Sequence, residues 1–136
     1  MIIIKFKRGL MDKIYKNKFK SNLSLLQYKV TQEGATEPPF SHKGFEKDAK
    51  VFVCVCCGSK LFRIENKFES GSGWPSFSSP YSSEVITEHS DESYGMIRTE
   101  VKCRNCNAHL GHVFEDGPEP TGLRYCINGV AIDGKK

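Results

Sequence analysis

Cys54-Val55-Cys56-Cys57-Gly58 and Cys103-Arg104-Asn105-Cys106-Asn107 carry two Cys-x-x-Cys pairs, with the 45 residues 58–102 between them. Two thiolates at this spacing sit on one tight turn, so both sulfurs reach a single ion from the same side. Gly58 and Asn107, directly after the pairs, are turn-type residues. Two pairs make a four-thiolate set, the tetrahedral site of a structural zinc with no ligand position left for substrate. Cys54, Cys57, Cys103 and Cys106 are therefore the expected ligands of one Zn2+. The gap is longer than in a small zinc finger, so the ion would clip two distant hairpins together. Cys56 adds a third thiol to the first turn; ligands at 54 and 57 leave it spare, as a small apolar filler. The competing readings are a redox dithiol at one pair, or three disulfides in a secreted protein. Paired Cys-x-x-Cys turns without a signal peptide favour metal in a reducing compartment, so a cytoplasmic location is expected.

The chain has 136 residues, 38% hydrophobic and 26% charged, which fits a globular protein. Residues 1–20 hold seven basic side chains against Asp12, a net +6, which leaves −2 for residues 21–136. The basicity belongs to an N-terminal arm, expected to be mobile or an organelle transit segment, and 21–136 to a single domain. A nucleic-acid binder would be expected to carry its basic stripe on the domain itself. No run approaches the roughly 20 apolar residues of a membrane helix. A monomer that binds neither nucleic acid nor membrane is expected.

From Val51 the chain alternates like a β protein. Val51-Phe52-Val53, Lys60-Leu61-Phe62, Lys67-Phe68-Glu69, Val85-Ile86-Thr87, 97–101, Arg124-Tyr125-Cys126-Ile127 and Val130-Ala131-Ile132 are expected strands. Leu23-Ser24-Leu25-Leu26-Gln27-Tyr28 reads as a short helix, Ser70-Gly71-Ser72-Gly73 as a tight turn or close backbone approach, and 116–122 as a surface loop. The fold class is mainly β, with antiparallel sheets and little helix. The chain closes polar at Asp133-Gly134-Lys135-Lys136, so sheet-completing residues beyond Ile132 are expected to be missing.

With zinc satisfied by four thiolates, Cys126 is left as a nucleophile, and His109 and His112 are left for proton chemistry. Trp74, the only tryptophan, is either a core anchor or an apolar wall for a small substrate group. Arg124 shares a strand face with Cys126, since i and i+2 point the same way, and its charge would favour the thiolate.

Ser70-Gly71-Ser72-Gly73-Trp74-Pro75-Ser76-Phe77, His109-Leu110-Gly111-His112-Val113-Phe114, Asp116-Gly117-Pro118 and 121–128 together resemble the B class of methionine sulfoxide reductases. Thr36-Glu37-Pro38-Pro39-Phe40 and the paired cysteines fit as well, so the resemblance covers roughly residues 23–132. It implies antiparallel sheets in a β-tent. It also implies reduction of the R epimer of methionine sulfoxide, mainly in peptides and proteins, as oxidative repair. By motif, Cys126 is the nucleophile; Arg124, His109, His112, Asp116 and Asn128 form the polar half of the site; and Trp74, with Phe114, receives the substrate. His112 is the first choice of proton donor and His109 the second, with Asp116 expected to orient one of them. Stereoselectivity follows if the methyl group faces Trp74 while the oxygen faces the histidines.

One position departs from the common pattern. Many members carry a cysteine where this chain has Ser72, and that cysteine resolves the sulfenic acid formed on the nucleophile. Serine forms no disulfide. Either Cys56 resolves, or an external thiol such as thioredoxin, glutaredoxin or glutathione attacks Cys126 directly; the second is preferred. A non-enzymatic zinc module on the same architecture remains the rival, because a fold does not fix a function. It would need the two cysteine pairs but not Cys126, Arg124 and the histidines together.

Overall fold

The computed structural model describes residues 22–136; the basic arm read over 1–20 lies outside the described residues. The expected short helix is present and longer than its apolar start suggested: α1, Leu25–Glu33. Ser24 caps it, its hydroxyl accepting from Gln27 N–H while the Gln27 side chain accepts from Ser24 N–H. Such a cap stabilises a helix by about 1 kcal/mol. Gly34, at φ 73°, ends it. Val30 and Thr31 are the buried positions, facing β7 and the turn after Asn128.

Nine strands follow: β1 (Val51–Cys54), β2 (Lys60–Arg63), β3 (Lys67–Phe68), β4 (Ser76–Phe77), β5 (Ile86–Asp91), β6 (Arg98–Cys103), β7 (His109–Phe114), β8 (Arg124–Ile127) and β9 (Ile132–Lys135). They make two antiparallel sheets, one ordered β2-β1-β9 and one β3-β4-β8-β7-β6-β5. The mainly β, antiparallel reading with little helix therefore holds. Phe52 and Phe62 from the small sheet meet Phe77 from the large one. Phe62 stacks on Phe77 at 4.4 Å between centroids, and Phe52 stands edge-on to it at 5.2 Å. All three rings are fully buried; each contributes about 1.5–3 kcal/mol of burial, so this cluster fixes how the sheets face each other.

Two expectations are corrected. Residues 129–131 form a 3-10 turn, Gly129–Ala131, and the strand begins only at Ile132. The reason is local bonding: Ala131 N–H donates to Asn128 O, and Val130 N–H donates to the Glu37 carboxylate, so neither joins a ladder. Nor is the small sheet left incomplete. The polar residues Asp133, Gly134 and Lys135 pair with β1 from Val53 to Val51. An outer strand needs backbone pairing and one inward side chain in two, so its sequence need not look apolar. β4 and β7 were not foreseen as strands.

Candidate active site and metal centre

The two cysteine turns are built alike. Gly58 N–H donates to Cys54 O and Asn107 N–H to Cys103 O, each at 2.8 Å. In return Cys54 N–H donates to Ser59 O and Cys103 N–H to Ala108 O. Both closing residues sit in the left-handed region, Gly58 at φ 79° and Asn107 at φ 65°, which glycine and asparagine tolerate best. The first turn follows β1 in the small sheet, and the second joins β6 to β7 in the large one. Their four sulfurs lie within 4.8 Å of one another, with Cys54–Cys106 and Cys57–Cys103 at 3.6 Å. A tetrahedron with metal–sulfur bonds of about 2.3 Å has sulfur–sulfur edges of about 3.8 Å. The set therefore has the dimensions of a closed four-thiolate metal site. Cys56 stands outside it, its sulfur 3.5 Å from Gln32 Nε2.

Cys126 lies elsewhere, on β8, where β7 and β4 flank it. Pairing sets His112 opposite Cys126 and Phe114 opposite Arg124. Directly opposite residues share a face, so these four side chains gather into one patch. Gly111 permits the close approach: a Cβ there would stand 2.0 Å from the Cys126 carbonyl oxygen. The patch opens into a cavity of about 210 Å³, lined by Cys126, His112, Arg124, Phe114, Asn128 and Trp74, together with Ser72, Thr36 and Arg98. The Arg124 guanidinium lies over the Phe114 ring at 4.5 Å. Burial pushes the Cys126 thiol up; the Arg124 charge and hydrogen bonds from Ser72 and Arg124 pull it back down.

His109 and His112 need a device to come together, because residues three apart on a regular strand point to opposite faces. β7 carries a bulge: Gly111 pairs with Val101, but His109 pairs with Lys102, which leaves Leu110 extra. The two rings consequently stand 5.5 Å apart, edge to face. Only His112 lines the cavity. Its Nε2–H donates to Asp91 Oδ2 at 2.7 Å, and this hydrogen bond holds the Asp91 carboxyl well below the usual carboxylate range. His109 is buried behind it, Nδ1–H donating to Glu100 Oε2 at 2.6 Å while Nε2 has no partner. Burial lowers the His109 pKa, against the opposing pull of Glu100.

Asp116 holds neither histidine, which corrects the role expected for it. It pairs with Arg124 through two bonds, Nε to Oδ1 at 2.8 Å and Nη2 to Oδ2 at 3.1 Å. The pair lowers the Asp116 carboxyl and raises the Arg124 guanidinium. Asp116 thus fixes the fork of Arg124, and Asp91 and Glu100 take the histidines. Both come from the β5–β6 hairpin, and nothing local in the sequence flags them.

Glu37 ties the apolar and polar halves together, through its backbone as well as its carboxylate. Glu37 is 1% exposed. Its backbone N–H donates to Asn128 Oδ1, its carbonyl accepts from Trp74 Nε1, and its Oε1 accepts from Val130 N–H, each at 2.9 Å. Asn128 in turn donates from Nδ2 to Leu110 O. Gly73 allows the close fit beside Trp74, since at φ 94° it places no Cβ where the Phe40 ring and Pro39 lie.

The SelR domain family matches residues 23–136. The chain belongs to that family. Among its relatives, a peptide methionine sulfoxide reductase MsrB of Hahella chejuensis is 51% identical over 125 residues, 90% of each chain. One of the same name from Acinetobacter baylyi is 50% identical over 114 residues, covering 83% of this chain and 82% of its own. Another from Acinetobacter baumannii is 47% identical over 128 residues, 92% of each.

Proposed function

We propose that this chain reduces the R epimer of methionine sulfoxide in peptides and proteins, with Cys126 as nucleophile, and so repairs oxidised protein. The observation that carries the reading is the single cavity where a lone thiol, an imidazole held by a carboxylate, a guanidinium and an indole meet. The names of the relatives point the same way. The Cys126 thiolate attacks the sulfoxide sulfur. As the S–O bond weakens, the oxygen takes a proton from His112. Nε2–H stays on Asp91, which leaves Nδ1–H for the substrate oxygen. The attack has made an S–S bond between Cys126 and the substrate; the hydroxyl then passes from the methionine sulfur to the Cys126 sulfur as that S–S bond breaks, so methionine departs and Cys126 becomes a sulfenic acid. His109, away from the cavity, acts as a support behind His112. Trp74 and Phe114 offer the apolar surface for the methyl group, and Asn128 holds the loop that carries Glu37.

The sulfenic acid is returned to a thiol by an external reductant. An incoming thiol forms a mixed disulfide with Cys126 and releases water; a second thiol then releases Cys126. Thioredoxin, glutaredoxin and glutathione all fit. Ser72 favours this route, because it borders the cavity where a resolving cysteine would stand and Cys56 does not line that cavity. Disulfide mapping after one oxidising turnover tests it: Cys126 should carry the external thiol, whereas a Cys56–Cys126 bond would overturn the route.

Zinc is the ion we assign to Cys54, Cys57, Cys103 and Cys106, on the four-thiolate set and its near-tetrahedral spacing. Its place is structural. Paired Cys-x-x-Cys turns holding metal suit a reducing compartment, so we assign the chain to the cytoplasm. We assign the working form to a monomer. No described helix is long and apolar enough to cross a membrane.

The reaction is tested with purified protein, dithiothreitol and dabsylated methionine-R-sulfoxide or its S epimer. Turnover of R alone is expected. Absence of turnover in folded, zinc-loaded protein would move the binding-module reading to the front.

A further inference from the structure

The size of the Cys126 cavity limits what enters it. About 210 Å³ is below the range of roughly 300–1,000 Å³ of pockets that enclose whole small ligands. One side chain fills such a space, and the peptide backbone that bears it stays outside. Residues before and after a seated methionine sulfoxide must therefore lie on the rim.

The β5–β6 hairpin forms one side of that rim. Asp91, the last residue of β5, holds His112, and Arg98, the first of β6, lines the cavity and pairs across the hairpin with Asp91 at 3.4 Å. Residues 92–97 between them form the tip. Three large apolar side chains there face solvent: Tyr94 87% exposed, Ile97 85% and Met96 46%. Scattered apolar side chains are ordinary on a protein surface, but a cluster beside a site marks contact with another molecule. Tyr94 also holds φ 58°, ψ 26°, the left-handed region that bulky residues rarely enter. Ser93 N–H donates to Asp91 Oδ1 at 2.9 Å, so the carboxylate that holds His112 also pins the turn presenting this ring. Strain kept at an exposed aromatic beside a reactive site suggests function.

We propose that this hairpin tip, Tyr94 and Ile97 foremost, docks the polypeptide flanking a methionine sulfoxide seated in the cavity, and favours apolar flanking residues. The inference rests on the reductase reading of Cys126. The occupant follows from placement: Arg98 lines the cavity and the tip begins at its chain neighbour Ile97, so residues flanking a methionine sulfoxide seated there lie beside the tip. It follows also from chemistry. Polypeptide segments that have lost their packing expose apolar residues, and only such residues gain by covering Tyr94 and Ile97.

The test uses the full chain with Tyr94→Ser and Ile97→Ser together, and dithiothreitol as reductant. Two substrates are compared: N-acetyl-methionine-R-sulfoxide, and a peptide with leucine and phenylalanine on either side of the same residue. We expect KM for the peptide to rise about tenfold, equivalent to about 1.4 kcal/mol, with kcat unchanged and the small substrate unaffected. Equal losses on both substrates would mean that the tip acts through Asp91 and His112, and would overturn the proposal. Unchanged peptide turnover would overturn it as well. So would a loss seen only when thioredoxin replaces dithiothreitol, which would assign the tip to the reductant. Unmodified protein that turns over neither substrate would contradict the reductase reading itself, and the proposal with it.

Discussion

The four-cysteine cluster and the Cys126 cavity both place thiols on or beside strands, yet they present opposite surroundings to a thiolate. In the cluster, every sulfur has three sulfur neighbours within 4.8 Å. Four negative charges at that distance tolerate one another only around a cation, and the cation then leaves no open face. Cys126 stands alone, its charge offset by a guanidinium already tied to Asp116, with its outer side facing a cavity. The same side chain becomes a staple or a nucleophile according to how many others share its space and whether one side is open.

Substitution at the two regions should separate them. The largest effect is expected at the cluster: Cys103→Ser should lose zinc and unfold the domain, because apparent binding energies of about 10–16 kcal/mol for structural zinc are folding energy. Metal content and circular dichroism check it; a folded, stable Cys103→Ser protein would break the comparison. Next is Cys126→Ser, which should cut turnover on the order of 10⁴-fold or more while zinc content and melting temperature stay as they were.

Within the cavity, His112→Ala should lower kcat by about 10²–10⁴-fold, the range for loss of a general acid. His109→Ala should cost activity less than that and stability more, since it empties a buried site. Comparable kcat losses without destabilisation would make His109 the donor instead. Arg124→Met should raise the Cys126 thiol further, because burial already pushes it up and the opposing guanidinium is gone. Its alkylation by iodoacetamide should then need a higher pH than in the unmodified protein; an unchanged profile would discount Arg124.

The smallest effect concerns Glu37, whose burial raises its carboxyl above the unfolded value. The folded state then holds the proton more tightly, so this group's contribution is complete below the ordinary carboxylate range and is lost as pH rises through the raised pKa. Glu37→Gln should flatten that stretch of the stability curve in denaturant titrations at several pH values. A slope that persists would assign it elsewhere.

The metal centre was legible because its geometry is local: each pair sits on one turn, and Gly58 and Asn107 advertise that turn in their residue type. Arg124 and Cys126 were legible as one face of a strand, and Asn128 only through the motif that follows them. The partners of the histidines were not. The bulge at Leu110 that turns His109 and His112 to one side depends on pairing with β6. Asp91 and Glu100 reach them only through hairpin registry, so Asp116, near in sequence, drew the role instead. β9 escaped because edge pairing asks for backbone, not for apolar side chains. The capping box at Ser24 and Gln27 and the closing Gly34 were visible in principle and would have set the start and the end of the helix.

Single-turnover trapping tests the division between staple and nucleophile most directly. Reduced, zinc-loaded protein is mixed with one equivalent of methionine-R-sulfoxide peptide and dimedone, without reductant, then digested and analysed by mass spectrometry. One equivalent of methionine peptide is expected, with the dimedone adduct on Cys126 and zinc still bound. An adduct on any of the four cluster cysteines, or zinc released in step with methionine, would contradict the account.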